Sequence, residues 1–253
     1  DMRGAVSINV RVTSQVEEEV VSGSSDDRLQ LCREAVENTR IIPQVVRQAT
    51  VHEEMSLGSG KPNIGNVVRY SASADVSDFK VISGKVVTKG EANVKILYED
   101  EDDAEKLEII EYAIPVSQIV DIEGLDEDCT CNVWYDVCSV DVTPKQNMDG
   151  ENRTFALELG INAYAAANKQ VSMDAVMDCY STQYECKQSQ KLVPFLKMLQ
   201  AVDETYMYKE TLNLPLNVKS IIDLWCVPGP VNTRVESDSV VITGKVNVCM
   251  FAY

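Results

Sequence analysis

The 253-residue chain carries 23 basic residues against 40 acidic ones, for a formal net charge of −17. Such a field repels nucleic-acid phosphates and anionic lipid headgroups, so neither is an expected partner, while a 45% hydrophobic composition suffices for a packed core. No run approaches the roughly 18 continuous apolar residues that a membrane-spanning helix needs, so membrane insertion is not expected.

Taken in chain order, the first signal is Asp26 to Asn38, whose pattern predicts an exposed amphipathic helix capped by Ser25. Short turns of helix are expected at Pro62-Asn63-Ile64 and at Asn217-Val218. The remaining elements read as strands, because Val81 to Thr88, Ala92 to Tyr98, Leu107 to Ile114, Cys131 to Val142 and Thr154 to Tyr164 are short, β-branched and often alternating. Lys89-Gly90 is expected to close a hairpin, Asn147-Met148-Asp149-Gly150 to form a turn, and Pro115, Pro144 and Pro215 to mark strand margins. The expected fold class is mainly β: tandem antiparallel β-sandwich-like modules with a few short helices.

The chain repeats itself. A shift of 154 positions lays Lys80 to Leu97 on Arg234 to Phe251 without a gap, with seven of eighteen positions identical. The same shift pairs Asn63-Ile64 with Asn217-Val218, Val67-Val68 with Ile221-Ile222 and Cys32-Arg33 with Cys186-Lys187, and a one-residue slip sets Ile8-Asn9-Val10 on Ile161-Asn162-Ala163. Two phases account for this. In one, 1–50 is the tail of a first repeat, 51–205 a complete repeat and 206–253 the head of a following one. In the other, 1–98 and 154–252 are duplicated modules around a central 99–153 module. A chain that opens on Asp1 and stops at Tyr253 inside an apolar run is expected to be processed or excised, which favours the first phase.

Four stretches carry a family resemblance. Gly84-Lys85-Val86 through Ala92-Asn93-Val94-Lys95-Ile96-Leu97-Tyr98 is similar to the strand pair that opens a SPOCS domain, as found in tandem-repeat spore coat and morphogenesis proteins of clostridia. Ile114-Pro115-Val116, followed by Ile122-Glu123-Gly124-Leu125, resembles the Pro-containing segment and turn of that family. Asp178-Cys179-Tyr180-Ser181-Thr182-Gln183-Tyr184 resembles its inter-repeat stretch, with Cys179 where Ala is usual, and Ser59-Gly60-Lys61-Pro62-Asn63-Ile64-Gly65 resembles its Ser-Lys-Pro-Asp-Ile segment with Gly60 inserted and Asn63 for Asp. The resemblance implies a structural role in the endospore envelope, made in the mother-cell cytoplasm and placed at the coat or spore surface.

Catalytic chemistry has little to stand on. His52 is the single histidine, beside Glu53 and Glu54, and a solvated surface side chain is its expected state. No catalytic, cofactor-binding or metal-ligating residue is assigned, no cofactor is expected, and the chain is expected not to be an enzyme. Glu99, Asp100, Glu101, Asp102 and Asp103 form an acidic run that reads as a solvated hairpin tip and a candidate interface for a basic patch. Asp121, Glu123, Asp126, Glu127 and Asp128 read as a second solvated turn. Trp134 and Tyr135 point to opposite faces of one strand, so at most one anchors the core, and both are candidate interface residues. Cys129 and Cys131 are expected on one strand face and Cys138 on the other; these three with Cys179 and Cys186 are the candidates for cross-linking. The expected function is a non-enzymatic assembly protein acting through contacts with other copies of itself and other spore-envelope proteins. The alternative is a calcium-dependent surface binding or adhesion module.

Overall fold

The computed structural model describes residues 18–199, 202, 205–211, 213–214 and 218–252. Ten strands occupy them: β1 (Gln30–Ser56), β2 (Ile64–Ile82), β3 (Lys85–Asp100), β4 (Leu107–Asp121), β5 (Thr130–Gln146), β6 (Asn152–Tyr180), β7 (Ile221–Pro228), β8 (Asn232–Glu236), β9 (Ser239–Thr243) and β10 (Val246–Ala252). The described residues contain no helix. Mainly β is therefore the fold class, and the short helices expected from sequence are absent from these residues.

The Asp26–Asn38 segment shows why. Asp26 does not open a helix; its carboxylate accepts from the Arg28 backbone N–H at 3.0 Å in a tight turn, and β1 starts four residues later. Val36, Thr39, Ile41 and Ile42 continue the run as β-branched residues, and β6 supplies the strand partner that a local helical pattern does not foresee. Pro62 and Asn63 form an irregular bend into β2, whose first residue, Ile64, is fully buried. Asn217 lies outside the described residues, and Val218 has no regular structure.

The chain divides into two compact units, Asp1–Ile41 with Asn168–Ala201 and Ile42–Ala167 with Val202–Tyr253. In the second, β3 lies between β2 and β4, and β6 lies between β1 and β5. Alternation along β6 buries Phe155, Leu157, Leu159, Ile161, Ala163, Ala165 and Ala167, while Val86, Ala92, Val94, Ile96 and Tyr98 of β3 and Ile114, Val116 and Val120 of β4 join the same core. Tyr98 and Phe155 meet edge to face at a centroid distance of 5.6 Å. The two sheets thus make a sandwich.

The β2–β3 hairpin turns at Ser83-Gly84, with Gly84 at φ 78°, and not at Lys89-Gly90. Val81–Thr88 is accordingly two strand ends across a turn, Val81 pairing with Val86. Gly90 is inside β3 and has another purpose: a Cβ there would stand 2.1 Å from the Asp75 carbonyl oxygen and 2.7 Å from Cε2 of Tyr135. The turn at Asn147–Gly150 forms as expected, with Gly150 at φ 80° and Asn147 Oδ1 accepting from the N–H groups of Asp149 and Glu151. Pro115 falls inside β4, whereas Pro144 is two residues from the end of β5; both are edge strands, where proline is tolerated. Pro215 lies outside the described residues.

The last four strands follow the register of the first hairpin. Met250 pairs with Leu224, and subtracting 154 from both numbers gives Ile96 and Tyr70, which are also paired. The relation holds for every registered pair of β7 with β10 and of β8 with β9: Cys249–Trp225 repeats Lys95–Ser71, and Val235–Val240 repeats Val81–Val86. Irregularities recur as well. The register shift between Phe251 and Ala252 matches that between Val67 and Arg69, and the break between β7 and β8 falls where β2 shifts between Val76 and Asp78. Upstream the likeness stops. Residues that the shift aligns with β1 begin at Tyr184 and carry no strand among those described, and Leu192, Leu199, Tyr206, Met207 and Tyr208 in that stretch are largely exposed. Residues Ile8-Asn9-Val10 lie outside the described range.

Candidate interaction surfaces

The acidic run closes the β3–β4 hairpin, with Asp100 and Asp103 bonded within the turn and Glu99 and Glu101 to neighbouring strands. Asp100 is buried; its Oδ1 accepts from the Asp102 N–H at 3.0 Å and its Oδ2 lies 3.4 Å from Lys106 Nζ. Asp103 Oδ1 accepts from the Glu105 N–H, Glu99 from Asn66 Nδ2 and Glu101 from Asn152 Nδ2. Among the described residues no group of three or more His, Cys, Asp or Glu side chains is arranged to hold a metal ion. The second acidic cluster is a turn anchored by its apolar members: Ile122 and Leu125 are buried, and both their backbones bond to that of Gly84.

The Trp134/Tyr135 pair resolves cleanly. Tyr135 is 7% exposed, and its hydroxyl lies 2.7 Å from Thr88 Oγ1. Trp134 is 36% exposed and stacks on Tyr164 with centroids 5.2 Å apart and rings 5° from parallel. His52 is exposed and 3.7 Å from Glu158, beside a surface depression of about 260 Å³ that also includes Glu53, Glu54, Asp141 and Lys145. Lys145 pairs there with Glu54 at 2.6 Å.

All eight cysteines are free thiols. Cys129 is buried, but it sits in the turn before β5 and not on the strand, its thiol donating to Asp126 Oδ1 at 3.2 Å. Cys131 is half-buried, and burial, together with Cys129, raises its thiol pKa. Cys138 is exposed and accepts from Gln48 Nε2. In the other unit, Gln188 Nε2 donates to Asp178 Oδ1 at 2.7 Å and to the Cys179 carbonyl at 2.5 Å, folding the stretch after β6 back on itself. Burial, and then the neighbouring Cys186 and Asp178, raise the pKa of the Cys179 thiol.

Two groups of residues escaped the sequence reading. Arg153 holds the Ser59–Gly65 motif, donating to the carbonyls of Gly58 and Lys61 and to Asn63 Oδ1 at 2.9 to 3.1 Å, while Tyr98 donates to the Pro62 carbonyl. The second group lies on the outer face of β2–β3. There Asp223 of β7, 5% exposed, bonds Arg69 at 2.6 Å and Lys95 at 3.2 Å, and the Arg69 guanidinium carbon sits 3.6 Å above the Trp225 ring. Its signal was present in the shifted alignment, where a base and an acid occupy one aligned position.

Residues 63–145 match the family model described as SipL, SPOCS domain. This stretch is a SPOCS domain. It takes in β2, β3, β4 and nearly all of β5, so the acidic tip, Trp134, Tyr135 and the outer face bearing Arg69 and Lys95 all belong to the SPOCS segment. The SPOCS match is compatible with a sporulation-related, non-enzymatic role. Comparison with curated proteins and with solved structures returns no match. Among the described residues no helix is long and apolar enough to cross a membrane.

Proposed function

We propose that the chain is a non-enzymatic structural protein of the bacterial endospore envelope, working through repeat-to-repeat contacts and contacts with other envelope proteins. One observation supports this above the rest: a SPOCS segment whose opening hairpin is laid down again 154 residues later in the same register. Modules joined in series present equivalent surfaces at fixed intervals, which converts weak contacts into avidity. Synthesis in the mother cell, deposition at the coat and an absence of nucleic-acid or membrane partners belong to the same proposal.

Negative-stain imaging with mass analysis of the purified chain, across concentration and with and without reductant, tests assembly; fractionation of sporulating cells tests location. Ordered oligomers together with recovery in the envelope fraction are expected. A compact monomer in every condition, absent from the envelope fraction, overturns the proposal.

A further inference from the structure

The contact between the two hairpins has an unusual address. Arg69 and Asp223 are 154 residues apart, the same interval that aligns β2–β3 with its later copy, so the residues that touch occupy one position in the two copies. Trp225, which lies under Arg69, likewise aligns with Ser71, and both line one opening of about 460 Å³ between the hairpins. Each copy therefore offers the other the same face: Arg69, Ser71 and Lys95 on one side, Asp223 and Trp225 on the other.

When like faces meet across a two-fold, residue i contacts j and j contacts i, and only a residue on the axis meets its own counterpart, as Arg69 meets Asp223. Two identical copies of this face in the same arrangement would oppose Arg69 to Arg69 and set Lys95 of each beside Arg69 of the other. The observed pairing opposes Arg69 to a carboxylate that is nearly excluded from water, where a missing partner is costly. We propose that the outer face of β2–β3 is a repeat-docking surface that selects the in-line duplicate, by its Asp223 and Trp225, and rejects the identical face of a second chain. Attraction to one partner and like-charge repulsion of the other act together. Any self-association of the chain then runs through other surfaces.

The test uses the full chain in a Trp134→Phe background, so that Trp225 is the single indole. D223R and R69D are each expected to red-shift the emission and raise acrylamide quenching toward that of a water-exposed indole, and R69D/D223R to return both toward the parent. R69M, which keeps the aliphatic stem but no charge, is expected to move in the same direction by less. An equimolar mixture of R69D and D223R chains is expected to form a one-to-one complex in sedimentation, since each then carries the complement of the other, while neither associates alone. The proposal is overturned if the double exchange recovers no more than the single variants, if R69M leaves Trp225 quenching unchanged, or if D223R alone associates as strongly as the mixture.

Discussion

Tyr135 and Thr88 join the two sheets of the sandwich through hydroxyl groups 2.7 Å apart. Thr88 Oγ1 has a single proton and donates it to the Gln118 carbonyl at 3.1 Å, so the phenol must be the donor to Thr88. Burial raises the Tyr135 pKa and keeps that proton in place at neutral pH. Tyr135→Phe is expected to cost about 1–2 kcal/mol by urea unfolding, since it strips a buried hydroxyl of its donor. Trp134→Ala, on the exposed face, is expected to lose the Tyr164 stack at a cost of about 1 kcal/mol.

Gly90 and Gly84 are needed for different reasons, and alanine separates them. At Gly90 a methyl group would overlap the Asp75 carbonyl at 2.1 Å, backbone that cannot step aside. At Gly84 nothing lies within 4 Å and only the positive φ is at stake. Gly84→Ala should cost about 1 kcal/mol, and Gly90→Ala about 3 kcal/mol or failure to fold, in a comparison of urea midpoints. A reversed order would place the turn back at Lys89-Gly90.

Arg153 fixes the bend before β2 with three hydrogen bonds to Gly58, Lys61 and Asn63. Arg153→Ala is expected to destabilise by about 2–3 kcal/mol, and Arg153→Lys to recover little of that, because an ammonium cannot span the three acceptors as the planar fork does. Thermal unfolding, with hydrogen exchange at Asn63–Gly65, reads the effect. Full recovery by lysine would show that charge alone matters.

Stability is expected to fall on the alkaline side. Burial pushes the Tyr98 phenol up from 10.0 to about 12, burial raises Tyr112, Tyr135 and Cys131, and hydrogen bonding to Glu111 raises Lys95. Groups whose folded pKa lies above the unfolded one stabilise fully below the unfolded value, and that stabilisation is lost as pH climbs through the folded value. For Tyr98 the window runs from about pH 10 to about pH 12, with about 2–3 kcal/mol at stake. Tyr98→Phe should weaken the neutral chain slightly, by loss of the bond to Pro62, yet flatten the fall above pH 10. A slope unchanged by the substitution would assign the loss to other groups.

The cysteines sort by position. Brief alkylation of the folded chain, read by peptide mapping, is expected to label Cys138 readily and to spare buried Cys129. Treatment with a low-molecular-weight disulfide is expected to join Cys179 to Cys186 within one chain, since Cys186 is near enough to raise the Cys179 thiol. If that link forms only between chains, the bridge recorded by Gln188 does not persist in solution.

Much of the sandwich was legible because its signals are local and periodic. The odd-numbered residues of β6 from Phe155 to Ala167 and the duplicated Gly84–Leu97 stretch announce strand with no help from context. What failed depended on distant partners. The Asp26–Asn38 pattern reads as a helix until β6 lies beside it, and Gly90 reads as a turn until the Asp75 backbone and Tyr135 are seen to fill the space a side chain would need. The acidic tip was recognisable as a hairpin end from charge density, whereas the inward turn of Asp100 onto Lys106 was not. Asp223 carries no local signal, and only the 154-residue shift, which sets it on Arg69, points to the pair.

The rims of both sheets are interrupted. Pro43, Pro144 and Pro115 sit within the edge strands β1, β5 and β4, and β2, the remaining edge, breaks register between Val67 and Arg69 and again between Val76 and Asp78. A neighbouring chain laid along any of these rims would meet a missing donor or a kink partway across, so stacking by lateral strand addition is blocked chemically. Ordered material built on the sandwich sheets should therefore lack the roughly 4.8 Å cross-β reflection along its axis and repeat instead at the scale of whole modules. Such a material would share its secondary structure with amyloid but none of its growth law.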